Sequence, residues 1–415
     1  MGRSSILSIL SYKEQRLYDI LLGFAQARKV NHVPVPRVVV ITDLAKDYDD
    51  LAAMVVLKEL HRLGLIKLEA FIANFEPARK RALYGRGALD SLGLHDVPIG
   101  VGTKASTKDY DEYSYEFEAP FMPDEKTFMP NKNNFFEDGF ELLDQVFDQA
   151  IEEDQKLICV LISSLTDIAG YKKAYLEKAV ARVYMQGGYS ISAKDIPTPW
   201  DDAANNMVDM PAAETFHKHL ENIPSDVYTK VAAYETKIPA SIFNDLGDTE
   251  HPIGKDLQSR YQRQGLQYYK TACGPTPFND ITQQKFLDKF CGFYERHPPG
   301  TLTKNGTPLP EDGTPLPDPD TNEIIPYLTK GLLYDTLPAL AAGGDDLLAV
   351  LGVLDIESMA NQTSIHKVIG TPRLRDDLPD ILNINPQQMA FVISTILKGA
   401  LYNSVQDAFK SQPEQ

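Results

Sequence analysis

Short continuous apolar runs recur along this chain, separated by stretches whose apolar residues follow a helical spacing. The clearest run is Val38-Val39-Val40-Ile41. Helical spacing begins soon after it, at Leu51, Met54, Val55, Val56, Leu57 and Leu60. The same reading predicts strands over 37–42, 67–73, 97–101, 156–162, 181–187 and 227–233. It predicts helices over 50–63, 79–92, 137–153, 166–178 and 211–222. Strands that are apolar at every position are buried on both faces, as in parallel sheets covered by helices. The alternation therefore predicts an α/β fold: a mostly parallel central sheet flanked by helices, open and Rossmann-like.

Other stretches break the alternation. Residues 1–35 read as an N-terminal helical extension, with Leu7, Ile9, Leu10, Leu17, Ile20, Leu21 and Phe24 on an apolar face. Residues 103–135 are polar and aromatic-rich, with Tyr110, Tyr113, Tyr115 and Phe117, and read as a long loop. A Pro-rich insertion covers about 297–326, with Thr-Pro-Leu-Pro at 307–310 and again at 314–317. Helical patterning returns over 331–402, and 403–415 reads as a tail. The main domain would then be 36–402.

Composition narrows the function. With 415 residues and 43% apolar content, the chain can bury one large core. A net charge of −17 argues against nucleic-acid phosphates or an anionic membrane as partners. The cysteines, Cys159, Cys273 and Cys291, show no zinc spacing and suit a reducing compartment. No apolar run is long enough to span a bilayer, and the N-terminus has no convincing secretion signal. The expected location is cytoplasmic.

The chemistry concentrates directly behind the first strand. Asp43, Asp47, Asp49 and Asp50 fall within eight positions. In open α/β sheets the carboxyl ends of the strands carry the ligand site. One or two of these residues could simply cap the following helix. Four carboxylates so close repel one another unless a cation sits among them, and a hard divalent ion with oxygen ligands meets that need. Other strands also end in small or polar residues: Asn74, then Ser163-Ser164-Leu165-Thr166-Asp167, then Gln186-Gly187-Gly188. A P-loop is absent, and Asp43-Leu44-Ala45 lacks the second Asp of an Asp-x-Asp phosphatase.

In this order the segments resemble the inosine-uridine-preferring nucleoside hydrolases. Ile41-Thr42-Asp43-Leu44-Ala45-Lys46-Asp47-Tyr48-Asp49-Asp50 is similar to that family's acidic opening. Asn74, Ser163–Ala169 and Met185-Gln186-Gly187-Gly188 follow in sequence, then Asn205 with Asp209-Met210-Pro211-Ala212-Ala213, then Leu333-Tyr334-Asp335-Thr336-Leu337-Pro338-Ala339. The resemblance implies calcium-dependent hydrolysis of the N-glycosidic bond of ribonucleosides, in the context of purine or pyrimidine salvage. It implies Ca²⁺ held by Asp43, Asp50, the Ile162 carbonyl and Asp335, with Asp47 beside them, and water activated by Asp43. It implies that Asp49, Asn74 and Asn205 hold the ribose and that Met185 packs near it. It also implies a small-molecule nucleoside or related riboside as partner, and a homodimer or homotetramer.

The chain departs from that pattern at several positions. Ile41 and Ala45 replace an Asp and a Gly. Ala203 stands where a sugar-binding Glu is expected, with Asp202 one position away as a substitute. Tyr334 takes the place of a leaving-group His, and a phenol is the weaker acid at neutral pH. Two other readings therefore stand beside the hydrolase: a non-catalytic calcium- and ribose-binding relative, and a hydrolase of a different ribosyl derivative. Trp200, the single tryptophan, either packs or stacks on a base. His217 and His219 do not share a helix face and are not expected to bind metal.

Overall fold

The computed structural model describes residues 9–107, 119–129, 134–275, 281–303, 306–354, 364–372 and 380–410. The aromatic stretch from Tyr110 to Phe117 lies outside them. Fourteen strands are named here in chain order: β1 (Arg37–Thr42), β2 (Lys67–Ala73), β3 (Ile99–Val101), β4 (Phe135–Phe136), β5 (Leu157–Ile162), β6 (Val180–Gln186), β7 (Tyr189–Ile191), β8 (Pro197–Pro199), β9 (Ser225–Tyr228), β10 (Ile238–Pro239), β11 (Pro299–Leu302), β12 (Pro308–Pro310), β13 (Lys330–Gly331) and β14 (His366–Ile369).

Eight of them form one sheet in the order β14-β9-β6-β5-β1-β2-β3-β4, with every neighbouring pair parallel. The chain winds outward from β1 to β4, returns to β5 on the other side of β1, and winds outward again. The β1/β5 seam is thus the topological switch point, where ligands bind in such sheets. Thr42 and Ile162 face each other at its carboxyl end.

Both faces of the sheet are buried, which is why the strands read as continuous apolar runs. Val38 and Val40 of β1 pack into one core with Phe71, Val160 and Tyr184. Val39 and Ile41 pack into the other with Ile72, Leu161 and Val183. Helix Asp49–Arg62 covers the first face, and its residues from Asp49 to Leu60 are all buried. A separate apolar cluster, including Tyr269, Phe286, Phe293 and Ile324, underlies the Pro-rich segment. Within that segment β11 and β12 pair antiparallel.

Several elements differ from the sequence expectation. The strand expected over 227–233 ends at Tyr228, because Thr229 caps a helix: its Oγ1 accepts from Val231 N at 3.2 Å. The helix expected over 166–178 is two pieces, Thr166–Ala169 and Lys173–Ala179. The stretch 331–402 also contains a strand, β14, at the sheet edge. The last helix runs Pro386–Lys410, past the expected start of the tail at 403. It continues because Leu401 is buried and Asn403 donates to Glu59 Oε1 at 3.1 Å. Among the described residues no helix is long and apolar enough to cross a membrane.

Candidate functional site

The site is built on the loop that leaves β1. Ala45 turns it through a left-handed conformation (φ 68°), and Asp49 and Asp50 then open the next helix, where its dipole favours negative charge. Asp335 arrives from the far end of the chain, just before helix Thr336–Ala341. Carboxylate oxygens of Asp49, Asp50 and Asp335 lie within 4.8 Å of one another, and all three residues are buried. Asp50 is fixed through Oδ1, which accepts from Thr42 Oγ1 at 2.5 Å and Asp43 N at 3.2 Å.

Three side chains hold the acidic loop in place. Arg81, with no accessible surface, donates to the carbonyls of Asp43 (2.9 Å), Leu44 (2.8 Å), Phe75 (2.8 Å) and Glu76 (3.1 Å). It therefore ties the loops after β1 and β2 together. Gln264, on the long helix Pro252–Cys273, donates to Lys46 O at 3.1 Å and accepts from Tyr48 N at 3.3 Å. Tyr48 in turn accepts from Leu332 N at 3.1 Å, which anchors the segment carrying Asp335.

The electrostatics are those of a site that wants a cation. Burial first, then the negative charges of Asp47 and Asp43, push the Asp49 carboxyl up to about 8. Burial and neighbouring carboxylates likewise drive Asp50 and Asp335 well above the usual range. Lys46 Nζ lies 2.8 Å from Asp43 Oδ2, so this ammonium answers Asp43. Three buried hard oxygen donors, two of them at a helix N-terminus and all beside the end of β5, fit a calcium-type ion.

The residues singled out from sequence divide into two groups. The structure brings Asp49, Asp50 and Asp335 together, with Ile162 at the adjacent strand end. Asp49, expected on the ribose, is part of the carboxylate trio. Asp43, expected among the ligands, is outside the trio and paired with Lys46. Asp47 is exposed at the loop surface. Tyr334 is half-buried, 6.0 Å from Tyr234 between ring centroids. Asn205 is buried and donates to Gln186 Oε1 at 2.7 Å. Met185 is packed in the sheet core. Asp202 is exposed and paired with Lys230 at 2.7 Å. Trp200 packs against Gly188, where any side chain would collide with its ring, and bonds Ser190 Oγ at 2.8 Å.

Asn74 is committed within the protein. Its Nδ2 donates to Asp167 Oδ2 (2.7 Å) and Ser164 O (3.1 Å), and its Oδ1 accepts from Ser163 Oγ (2.5 Å). Asp167 also accepts from Thr103 N (2.8 Å) and Oγ1 (3.0 Å). Asn74 thus joins the rim loops after β2, β3 and β5. Sequence reasoning missed Arg81, Gln264, Thr103 and Asp167 as supports of this rim. Arg81 lies inside the predicted helix 79–92, Gln264 lies in a stretch with no predicted element, and Asp167 reads only as part of the polar run after 156–162.

Comparison with solved structures identifies the fold. The type III effector protein XopQ, complexed with adenosine diphosphate ribose, matches with a TM-score of 0.66 at 20% identity over 95% of this chain and 99% of that one. The effector protein XOO4466 matches with a TM-score of 0.66 at 20% identity, over 94% and 99%. The purine-preferring ribonucleoside hydrolase from Gardnerella vaginalis matches with a TM-score of 0.52 at 14% identity, over 88% and 99%. The fold is that of the nucleoside hydrolases. At these identities the likeness establishes the nucleoside hydrolase-like fold and stops short of the inosine-uridine-preferring family. No protein-family model and no curated protein sequence matches the chain.

Proposed function

We propose that this protein is a calcium-dependent N-ribosyl hydrolase that cleaves the N-glycosidic bond of a nucleoside or related riboside. The observation that carries the reading is the meeting of Asp49, Asp50 and Asp335 at the β1/β5 switch point of a nucleoside hydrolase-like sheet. These three carboxylates and the Ile162 carbonyl would hold the ion. When bound, a divalent ion there supplies Lewis acidity that makes nearby water easier to deprotonate.

The chain's own groups do the rest. Asp43, tied to the trio by its backbone N–H on Asp50 Oδ1 and with its carboxylate held by Lys46, accepts the proton of the attacking water. The concentrated negative charge stabilises the oxocarbenium-like sugar as its bond to the base lengthens. Asn205, aligned by Gln186, lies at the carboxyl end of β6 where the ribose hydroxyls would sit. Asn74 serves by fixing the rim, since its amide is engaged by Ser163, Ser164 and Asp167. Tyr334 flanks the leaving-group side.

The test is steady-state cleavage of nitrophenyl riboside by wild-type and D43N protein. Loss of a general base costs about 10²- to 10⁴-fold in kcat. Full turnover by D43N would remove Asp43 from that role. The ion pair between Asp43 and Lys46 favours a second reading, in which the pocket binds a riboside such as adenosine diphosphate ribose without cleaving it. Calorimetric binding of that ligand with no sugar release from any riboside would select the second reading.

A further inference from the structure

From Tyr334, next to Asp335 of the carboxylate trio, a wall of aromatic rings extends. Tyr334, the neighbour of Asp335, lies 6.0 Å from Tyr234 between centroids. Tyr234 lies 6.0 Å from Phe290, and Phe290 lies 5.6 Å from Tyr268. The pairs meet edge to face, at 65° to 78° between ring planes. All four residues are half-buried. They come from separate parts of the chain: the helix after β9, the long helix Pro252–Cys273, the segment after helix Gln283–Lys289, and the turn before Asp335.

We propose that this wall receives a positively charged aromatic leaving group, so that the preferred substrate is a pyridinium-type N-riboside. The inference rests on the hydrolase reading above and adds the class of the departing group. Three observations support it together. First, the faces of Tyr and Phe rings attract cations, with about 0.5–2 kcal/mol for each well-placed ring. Second, the adjoining site stays anionic even when loaded. Around a bound divalent ion, ionised Asp43, Asp47, Asp49, Asp50 and Asp335 would carry five negative charges, against one each from Lys46 and Arg81 and two from the ion. Third, the wall offers no imidazole: among the described residues no histidine ring contacts these four side chains. His217 and His366 pack on Tyr189, and His297 on Phe293 and Tyr327.

The third point matters because of how the bond breaks. A neutral purine leaves with the electron pair of the C1′–N bond and needs a proton from an acid to depart easily. A pyridinium takes the same electron pair and becomes neutral, so no acid is required. Water oxygen bonds to C1′, its proton passes to Asp43 and then to solvent, and the products are ribose, the neutral heterocycle and one proton. An aromatic wall beside an anionic site, with only weakly acidic phenols and no imidazole, suits that reaction better than purine release.

The experiment measures kcat and KM of the calcium-loaded protein on nicotinamide riboside, inosine and nitrophenyl riboside, with Y268L and Y268F beside wild type. The expected result is at least about tenfold higher kcat/KM for nicotinamide riboside than for inosine. Y268L should raise KM for the cationic substrate about two- to thirtyfold with kcat held, since Leu keeps bulk and removes the ring. Y268F should stay near wild type. Cleavage of nitrophenyl riboside with inosine equal to or better than nicotinamide riboside would overturn the proposal and leave the hydrolase reading standing. An unchanged nicotinamide riboside KM in folded Y268L would do the same. No sugar release from any of the three would overturn both.

Discussion

Replacing Arg81 by Met probes how the site is held without touching a carboxylate. The guanidinium is fully buried and donates to four carbonyls on two rim loops. The two bonds to Asp43 O and Leu44 O support the acidic loop itself. Charge-assisted bonds contribute about 1.5–3 kcal/mol each, so losing these two costs about 3–6 kcal/mol. For a chain of 415 residues the unfolding entropy is about 0.9 kcal/mol/K, at ~2.1 cal/mol/K per residue. The melting temperature of R81M should therefore fall by about 3–7 °C. Because the loop presents Asp49 and Asp50, calcium affinity should also fall about 10- to 100-fold, the usual consequence of losing support behind metal ligands. Differential scanning calorimetry and calcium titration measure the two effects. R81M melting within about 1 °C of wild type and binding calcium as tightly would refute the argument that Arg81 shapes the site.

Three further outcomes follow from the same electrostatics. In D335N the repulsion within the trio is relieved, so the calcium-free protein should melt higher than wild type, yet added calcium should no longer raise its melting point; a thermal-shift series with calcium and chelator checks both signs. The Asp49 carboxyl is raised to about 8, above its unfolded value, so the native state binds a proton that the unfolded chain releases. Without calcium, stability should therefore decline as pH rises from about 4 toward 8, and urea melts of D49N should show a flatter decline. Burial lowers His217 to about 4, below its unfolded value, so its contribution is intact above about 6.5 and is lost as pH falls toward 4; a buried H217Q protein should lose less stability over that interval.

The parallel sheet was readable because β1 and β5 are apolar on both faces, a pattern that few alternatives satisfy. The acidic loop was readable because Asp43, Asp47, Asp49 and Asp50 are near neighbours in sequence. Asp335 was different: nothing in its local pattern marks it, and only the resemblance placed it beside residues nearly three hundred positions away. Strand β14 was hidden because four residues at a sheet edge carry too little periodicity to stand out from the helices around them. The short helix after β9 was masked by Val231, Ala232 and Ala233, which continue the strand's apolar run, although Thr229 supplied a cap signal. Arg81 falls inside the predicted helix 79–92 with no local mark of its role, since only the tertiary fold turns two carbonyl-rich loops toward it. The aromatic wall draws its rings from four segments, and no sequence window contains it.

The central claim is tested most directly by ribose release from a nitrophenyl riboside, measured before chelation, after chelation and after calcium is restored. The account predicts release that stops when calcium is removed and returns when it is added back, with D50N inactive throughout. Equal release in chelator, or full activity of D50N, would contradict it.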